Sequence, residues 1–240
     1  MKRVVVIGAS SGIGKEVAKL LLAEGYSLGV AARREDRLQE LKQMAPDRVE
    51  VKQIDVTDDD APARLLELID ALGGMDIFFY ASGIGKQNRM LEPDIEMQTM
   101  ATNGLGFTRM IGEAYRYFAE HDGGHIAAIS SIAGTKGLGP APAYSATKAM
   151  QSNYLQALEQ QANSRGLNIC FTDIRPGFVD TDLLNDGFRY PMLLKPQSVA
   201  RSIVKALHSK RHIKVIDWKY SVMTAMWRRI PRCIWRRIKL

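Results

Sequence analysis

The sequence predicts an α/β protein built on a doubly wound parallel sheet of about seven strands, with helices on both faces. Strand and helix patterns alternate along the whole chain. The first strand is a run of β-branched residues that leads through a Gly/Ser loop straight into helical spacing. The chain has 240 residues, 46% of them hydrophobic, which is enough for one large core.

Strands are expected at positions 2–8, 27–32, 48–54, 75–81, 124–130, 168–174 and 214–217. A helical pattern separates each strand from the next, and strands connected through helices run parallel. Ligands of such sheets bind at the carboxyl ends of the strands, where the strand order reverses. Most of the candidate site residues of this chain fall at those ends.

The loop after the first strand is suited to a pyrophosphate. Because its three glycines have no side chain, a phosphate can reach the backbone. The first N–H groups of the next helix have no partner within the helix and can donate to that phosphate. An ordinary turn also uses one or two glycines, but the position after a buried N-terminal strand favours dinucleotide binding. The predicted phosphate loop comprises Gly8, Ser10, Ser11, Gly12, Ile13 and Gly14.

The end of the second strand favours NADP(H) over NAD(H). An acidic side chain there would hold the ribose 2′-hydroxyl of NAD, but this chain has Ala32. Arg33 and Arg34 follow, and their guanidinium groups can fork onto a 2′-phosphate. The alternative is that both arginines lie in solvent at the start of the next helix. The positive end of a helix disfavours cations there unless an anion binds beside them.

The third and fourth strands also end in candidate cofactor residues. Asp55 and Val56 either edge an adenine pocket or cap the next helix. The fourth strand runs into a second small-residue loop that allows close backbone approach, Ala81, Ser82 and Gly83.

Asn103 and Gly104 interrupt a helical pattern. Both are poor helix formers, so we expect a bent helix with a polar side chain turned inward. Taken alone, such an asparagine is more often a structural hydrogen-bonding residue than a catalytic one.

The chemistry is expected at Ser131, Tyr144 and Lys148. Tyr144 and Lys148 are four residues apart and therefore share one face of a helix. A phenol titrates near pH 10, and an adjacent ammonium and a bound nicotinium both lower that value. Ser131, at the end of the fifth strand, can donate to the carbonyl oxygen that Tyr144 protonates. A lone Tyr-x-x-x-Lys motif is common by chance. Its combination with the glycine loop and Ser131 favours a catalytic role over a structural one.

The turn after the sixth strand contains Pro176 and Gly177. These residues are typical of an ordinary turn. The same loop, with Val179 and the Thr181 hydroxyl, could instead present polar groups to a carboxamide.

Together these motifs resemble the short-chain dehydrogenase/reductase family over about residues 1–217. The matched elements are Gly8-x-x-x-Gly12-x-Gly14, Asp55-Val56, Asn103-x-x-Gly106, Ser131, Tyr144-x-x-x-Lys148, and Pro176-Gly177 with Thr181. Tyr144 lies thirteen residues after Ser131, so Ser131 rather than Ser130 occupies the catalytic place.

The resemblance implies a Rossmann fold, a nicotinamide cofactor, and reversible hydride transfer between nicotinamide and a carbonyl or alcohol carbon. It implies that Tyr144 is the acid/base and that Ser131 orients the carbonyl. Lys148 would hold the nicotinamide ribose and lower the Tyr144 pKa, with Asn103 supporting it through a water relay. It also implies a homodimer or homotetramer formed through the helices that carry Asn103 and Tyr144. No metal site is expected.

The chain departs from the family pattern at two places. Ile7 stands where the family usually has Thr, and Tyr80-Ala81 stands where it usually has two asparagines. Those polar residues bind the two loops together in the family, so we expect apolar packing to replace them here.

The C-terminal residues 218–240 are expected to form a basic amphipathic tail beyond a catalytic domain at 1–217. From position 214 onward the chain has eight basic residues and one acidic residue, which leaves 25 of each before it. The neutral body argues against nucleic-acid binding. Pro231 should kink or divide the helix. A helical wheel over 222–238 places eight residues on one broad apolar side: Val222, Met223, Met226, Trp227, Ile230, Cys233, Ile234 and Ile238. Such a helix either lies on an anionic membrane or packs on protein.

The predicted function is an NADP(H)-dependent carbonyl reductase or alcohol dehydrogenase. The apolar segment from 183 to 194 suits a hydrophobic ketone or secondary alcohol, or equally an ordinary core. The main alternative is a non-catalytic NADP-binding sensor or partner-binding module, and a nucleotide-sugar epimerase would need a longer chain. The two cysteines predict reduced thiols and a cytoplasmic protein, with membrane association at the inner surface if the tail binds lipid.

Overall fold

The computed structural model describes residues 2–184 and 190–239. It contains all seven expected strands, each within two residues of its expected ends: β1 (Arg3–Ile7), β2 (Ser27–Ala32), β3 (Val49–Gln53), β4 (Ile77–Tyr80), β5 (Gly124–Ile129), β6 (Ile169–Arg175) and β7 (Ile213–Val215). They form one parallel sheet in the order β3-β2-β1-β4-β5-β6-β7. The order reverses between β1 and β4, so the carboxyl ends of these strands border the crevice where such sheets bind ligands.

The helices are α1 (Gly12–Ala23), α2 (Glu35–Met44), α3 (Ala61–Ala71), α4 (Pro93–Thr99), α5 (Phe107–Glu120), α6 (Pro142–Ser164), α7 (Pro196–His208), α8 (Trp218–Arg229) and α9 (Arg232–Trp235). The buried residues of α1, α2 and α7 pack on one face of the sheet. Those of α3, α5 and α6 pack on the other. Alternate β1 side chains enter the two cores, because successive residues of a strand point to opposite faces. No helix within the described residues is both long and apolar enough to cross a membrane.

A π-helical stretch, Met100–Gly106, joins α4 to α5. It confirms the expected bend, and Asn103 within it is completely buried. Gly106 permits the close packing here, because a Cβ atom at this position would lie 2.7 Å from the Val56 carbonyl oxygen.

The tail is divided at Pro231, as the sequence predicts. Its apolar residues, however, do not share one environment. Tyr220 and Thr224 are buried and Met223 and Trp227 are half-buried, whereas Val222 and Met226 are exposed. The broad apolar side of the helical wheel is therefore divided between protein and solvent, because α8 turns its Tyr220 face toward the body.

Tyr220 ties α8 to the segments that precede and follow residues 185–189. Its hydroxyl accepts from the Phe178 N–H at 3.2 Å and lies 3.1 Å from the carbonyl oxygens of Pro191 and Met192. Its ring covers Gly177, where a Cβ atom would overlap it. The division at residue 217 stays a prediction, although α8 is packed on the body. Phe188 of the predicted apolar segment lies outside the described residues.

We expect Tyr220→Phe to lower the free energy of unfolding by about 1–3 kcal/mol, because buried backbone groups lose their partner. Tyr115→Phe is the matched control, since the buried Tyr115 hydroxyl has no hydrogen-bond partner within the described residues. Removing an unpaired hydroxyl should be neutral or stabilising. Urea denaturation of both variants measures the difference, and equal losses would contradict this role of Tyr220.

Candidate active site

A cleft of about 950 Å³ lies at the carboxyl ends of the strands, on the side of the order reversal. That volume is in the upper part of the range for small-molecule and cofactor pockets. The cleft is lined by all the predicted site residues except Asn103, which is buried behind it.

The glycine loop after β1 lies directly against the loop after β4. Gly8 has a φ of +91°, and a Cβ atom on it would lie 2.6 Å from the Ser82 nitrogen. A Cβ atom on Gly14 would overlap the Gly8 carbonyl oxygen. Only glycines allow this approach, and it leaves the backbone at the start of α1 open to a ligand.

The departures at Ile7 and Tyr80 do not separate these loops. Both side chains are buried, and the two residues face each other in the β1–β4 register. The Ala81 N–H donates to the Ile7 carbonyl oxygen at 2.8 Å. Backbone pairing and apolar packing therefore connect the loops here.

Arg34 lies across the phosphate loop. Its Nη2 is 2.9 Å from the Ser11 Oγ and 3.4 Å from the Ser10 Oγ, and it donates to both. Arg33 also lines the cleft, and its carbonyl oxygen accepts from the Gln53 amide at 2.9 Å. The end of β2 thus presents two guanidinium groups and the small side chain of Ala32.

Asp55 begins a turn as well as lining the cleft. Its Oδ1 accepts from the Thr57 N–H at 3.0 Å and from the Thr57 hydroxyl at 2.8 Å. Asp55 does not cap the next helix, which begins at Ala61, and the adenine pocket stays a prediction for a carboxylate that borders the cleft.

Lys148 is 4% exposed and lies on the inner side of α6. Its Nζ donates to the Ile129 carbonyl oxygen and to the Gln151 Oε1, both at 3.0 Å. Burial lowers its pKa to about 8, and the Asp173 carboxylate opposes that shift. A buried ammonium of lowered pKa at the edge of a cleft is typical of a functional site.

Tyr144 stands one helical turn before Lys148, whose Nζ is 5.7 Å from the centre of the phenol ring. Gly85 lies against this ring, and a Cβ atom there would be 2.8 Å from Cε2. Burial raises the pKa of the Tyr144 phenol, while hydrogen bonding with the Ser131 side chain lowers it. The phenol therefore stays protonated at neutral pH unless a cation or a bound ligand stabilises the phenolate.

Ser131 and Ser130 have different environments. The Ser130 hydroxyl donates to the buried Asp173 carboxylate. The Ser131 hydroxyl caps a 3₁₀ turn, Ile132–Thr135, by accepting from the Ala133 N–H at 3.1 Å, and it keeps its own proton to donate. Ser131 is thus the serine whose hydroxyl the structure places beside Tyr144.

Asn103 holds the loop after β4. Its amide donates to the Ile84 carbonyl oxygen at 2.7 Å and accepts from the Ile84 N–H at 2.9 Å. Its own carbonyl oxygen accepts from the Gln151 amide at 2.8 Å, and Gln151 in turn accepts from Lys148. A protein bridge therefore joins Asn103 to Lys148, and the water relay stays a prediction.

The loop after β6 closes the site from the other side. The Pro176 carbonyl oxygen accepts from the Ile132 N–H at 3.1 Å. A Cβ atom on Gly12 would lie 3.2 Å from the Thr181 methyl group, so this loop reaches the phosphate loop. Val179 of this loop is buried and forms a parallel bridge with Leu194.

The family model for short chain dehydrogenases matches residues 2–189 of this chain. The chain belongs to the short-chain dehydrogenase family. Oxidoreductases named as uncharacterized are similar to it: one from Myxococcus xanthus is 30% identical over 234 residues, which are 95% of this chain and 92% of the relative. One from Staphylococcus aureus is 33% identical over 221 residues, with 89% and 94% covered. One from Mycobacterium tuberculosis is 29% identical over 226 residues, with 90% and 88% covered.

A solved short-chain dehydrogenase from Streptomyces avermitilis has the same fold, with a TM-score of 0.81 at 22% identity. The match covers 95% of this chain and 93% of the other. Family membership makes this protein an NAD(P)-dependent dehydrogenase acting on CH–OH or C=O groups.

Two parts of this dehydrogenase site were not predicted from the sequence. Gln151 bridges Lys148 and Asn103, and its spacing of three from Lys148 on one helix was the available signal. The buried Asp173 accepts from Ser130 and pairs with Arg175, whose Nε lies 2.7 Å away. Alternation in β6 places Asp173 and Arg175 on one face, but nothing local shows that Ser130 meets them.

We expect Tyr144→Phe to reduce turnover by at least about 100-fold, because it removes the proton that general acid catalysis needs. The ring and its packing on Gly85 remain, so cofactor affinity should be nearly unchanged. Steady-state kinetics and cofactor titration give the two values. Lys148→Ala is the comparison and should reduce both; a Tyr144→Phe enzyme with near-normal turnover would disprove the acid/base assignment.

Cofactor affinity should also depend on pH through Lys148. Without cofactor the Lys148 side chain has a pKa of about 8 and is largely neutral above that pH. A ligand that binds the charged form must therefore take up a proton when it binds at higher pH. We therefore expect the Kd of the reduced nicotinamide cofactor to rise about tenfold per pH unit above about pH 8. Titration of the fluorescence of the bound cofactor measures this slope.

Two variants test the origin of this pH dependence. Lys148→Arg stays charged throughout and should flatten the profile. Tyr144→Phe should keep the slope, which separates the ammonium from the phenol. A flat profile in the unmodified enzyme is incompatible with the lowered Lys148 pKa.

Proposed function

We propose that this enzyme is an NADP(H)-dependent carbonyl reductase or alcohol dehydrogenase for apolar ketones and secondary alcohols. The observation that carries the cofactor assignment is the position of Arg34 across Ser10 and Ser11, beside an alanine at the end of β2. Two hydroxyls and two guanidinium groups form a set of donors that suits a 2′-phosphate dianion.

The residues fit a nicotinamide dinucleotide along the whole cleft. The glycine cradle would hold the pyrophosphate on its backbone, which stays bare because a side chain at Gly8 would overlap the loop after β4 and one at Gly14 would overlap Gly8. Lys148 would provide an ammonium for the ribose hydroxyls, and the loop of Pro176 and Thr181 would border the nicotinamide. When bound, the nicotinamide supplies or accepts the hydride.

Three side chains of the protein would take part in the reaction. The Ser131 hydroxyl would donate to the substrate oxygen and fix its position. The Tyr144 hydroxyl would deliver its proton to the same oxygen in reduction and take it back in oxidation. Lys148 would stabilise the phenolate that remains, which moves the Tyr144 pKa toward neutrality.

The substrate part of the cleft is apolar. The rings of Phe178 and Tyr190 pack together with centroids 4.8 Å apart, and Met192, Met223 and Trp227 line the same cleft. Such a surface binds hydrocarbon through burial of its area rather than through specific polar contacts. The non-catalytic alternative has no support from the relatives, which are named oxidoreductases.

A homo-oligomer is part of the proposal. Large apolar side chains are exposed on and beside the π-helical stretch, namely Met97, Met100 and Leu105. Exposed apolar clusters of this kind are typical of subunit interfaces. Light scattering during size-exclusion chromatography gives the subunit count, and a monomer would contradict the proposal. A cytoplasmic location is likewise proposed, supported by two free cysteines.

The cofactor assignment predicts tighter binding of NADPH than of NADH. Arg34→Ala and Arg33→Ala should each weaken NADPH by about tenfold to a hundredfold, because each removes a charge-assisted contact of about 1.5–3 kcal/mol. NADH affinity should hardly change. Arg37→Ala removes the same charge from the exposed side of α2 and serves as the control. Equal affinity of the unmodified enzyme for both cofactors would refute the assignment.

Turnover is tested by following NADPH oxidation with a graded series of aliphatic, alicyclic and aromatic ketones. We expect kcat/KM to rise with the apolar area of the ketone. Polar ketones of the same size are the control. Bound NADPH with no turnover of any ketone would reject the reductase proposal while leaving the cofactor assignment intact.

A further inference from the structure

The tail presents an apolar stripe directly opposite the face that packs on the body. Tyr220, Met223, Thr224 and Trp227 follow one side of α8, whereas Trp218, Val222 and Met226 follow the other at intervals of four residues. The outward residues are 71%, 52% and 64% exposed. We propose that this outward surface, formed by α8 and α9, binds the face of an anionic lipid bilayer.

The stripe is held in a fixed orientation. α8 is anchored through Tyr220, and α9 is anchored through Trp235, whose indole N–H donates to the Gly137 carbonyl oxygen at 2.8 Å. Lys136 donates to the Ile230 carbonyl oxygen at 2.9 Å between the two helices. A surface that is already ordered binds without the entropy cost of folding the tail.

The tail that carries the stripe is strongly basic. Within the described residues none of them forms an ion pair, and all are exposed: Lys219, Arg228, Arg229, Arg232, Arg236, Arg237 and Lys239. The acidic residue of this region, Asp217, caps α8 by accepting from the Lys219 N–H at 2.9 Å. Each lysine or arginine beside an anionic membrane raises partitioning by a factor of about five.

The combination of charge and apolar area selects the lipid surface. A second copy of this tail would bring seven cations against seven cations, which repel. A nucleic acid would neutralise the cations but leave the side chains of Trp218, Val222 and Met226 in water. A helix with an aromatic and aliphatic stripe flanked by arginines is what lies in the interface of an anionic bilayer.

The same helix lines the active-site cleft through Met223 and Trp227. Docking of the outward surface would therefore place the cleft beside the bilayer, where an apolar substrate is concentrated. This consequence rests on the proposed function, but docking itself does not, and the experiment below contains no activity measurement.

Co-sedimentation of the full chain with vesicles tests the proposal. We expect binding to vesicles of phosphatidylcholine with phosphatidylglycerol at low salt, release at high salt, and no binding to phosphatidylcholine alone. All three tryptophans of the chain lie in the tail, so its fluorescence can be followed directly. Emission should shift to the blue on anionic vesicles, and Trp218→Phe should remove most of that shift, since Trp227 and Trp235 are already half-buried.

Two double variants separate the contributions, and a third is the control. Arg228→Glu with Arg229→Glu should weaken partitioning by at least about thirtyfold, the product of two lost cations. Val222→Ser with Met226→Ser should weaken it without changing its salt dependence. Arg201→Glu with Arg211→Glu makes the same charge change at exposed positions outside the tail and should have little effect. Unchanged melting temperatures would show that the variants fold.

Several results would overturn the proposal. The first is that the protein stays in the supernatant with anionic vesicles at low salt. The second is that it binds neutral vesicles equally well, and the third is that the charge-reversed variant of the tail binds as before. Tighter binding to duplex DNA or RNA than to the vesicles would assign the surface to nucleic acid. Loss of a dimer in Val222→Ser/Met226→Ser, with vesicle binding intact, would assign the stripe to a subunit contact.

Discussion

The buried ammonium of Lys148 is the constraint on which the site depends. An ammonium removed from water must donate its hydrogen bonds to acceptors of the protein, and two acceptors lie at 3.0 Å, the Ile129 carbonyl and the Gln151 side chain. The first belongs to the end of β5 and the second to α6. Gln151 also donates to the Asn103 carbonyl within the π-helical stretch. One charge therefore fixes the relative positions of a strand end, a helix and the bend before α5.

The π-helical stretch connects this hydrogen-bond network to the cofactor side of the cleft. Asn103 pairs with both backbone groups of Ile84, so the loop after β4 is bound to the same network. That loop touches the glycine loop through Gly8 and Ser82. The lysine that would hold the ribose and the backbone that would hold the pyrophosphate are thus connected by consecutive hydrogen bonds and contacts. This connection persists without the polar loop residues usual in the family, because Ile7 and Ala81 pair through the backbone.

The tail adds a second level of organisation. Tyr220 closes over Gly177 and bonds to the backbone before and after residues 185–189, so α8 is part of the wall of the substrate cleft. Its opposite side carries exposed tryptophan, valine and methionine, in a tail whose arginines form no ion pair within the described residues. A single helix therefore has two apolar sides with different neighbours, one of them protein and the other open.

Much of the fold and the positions of the proposed catalytic residues could be predicted from the sequence, because these features depend on short-range periodicity and spacing. Alternation of strand and helix patterns located all seven strands. The spacing of Tyr144 and Lys148 placed both on one face of α6, and the glycines of the first loop were recognisable from their position after a buried strand. The poor helix formers at Asn103 and Gly104 correctly indicated a bend.

Only the tertiary structure decided which polar groups meet. In the sequence, Gln151 does not differ from any other polar helix residue. Its contacts exist only because α6 packs against the π-helical stretch. Asp173, Ser130 and Arg175 come together because β5 and β6 are neighbours in one particular register. The helical wheel of the tail gave one apolar side, whereas the structure divides it between protein and solvent. A wheel describes a helix alone, but burial depends on the direction from which the rest of the chain approaches, and long-range packing sets that direction.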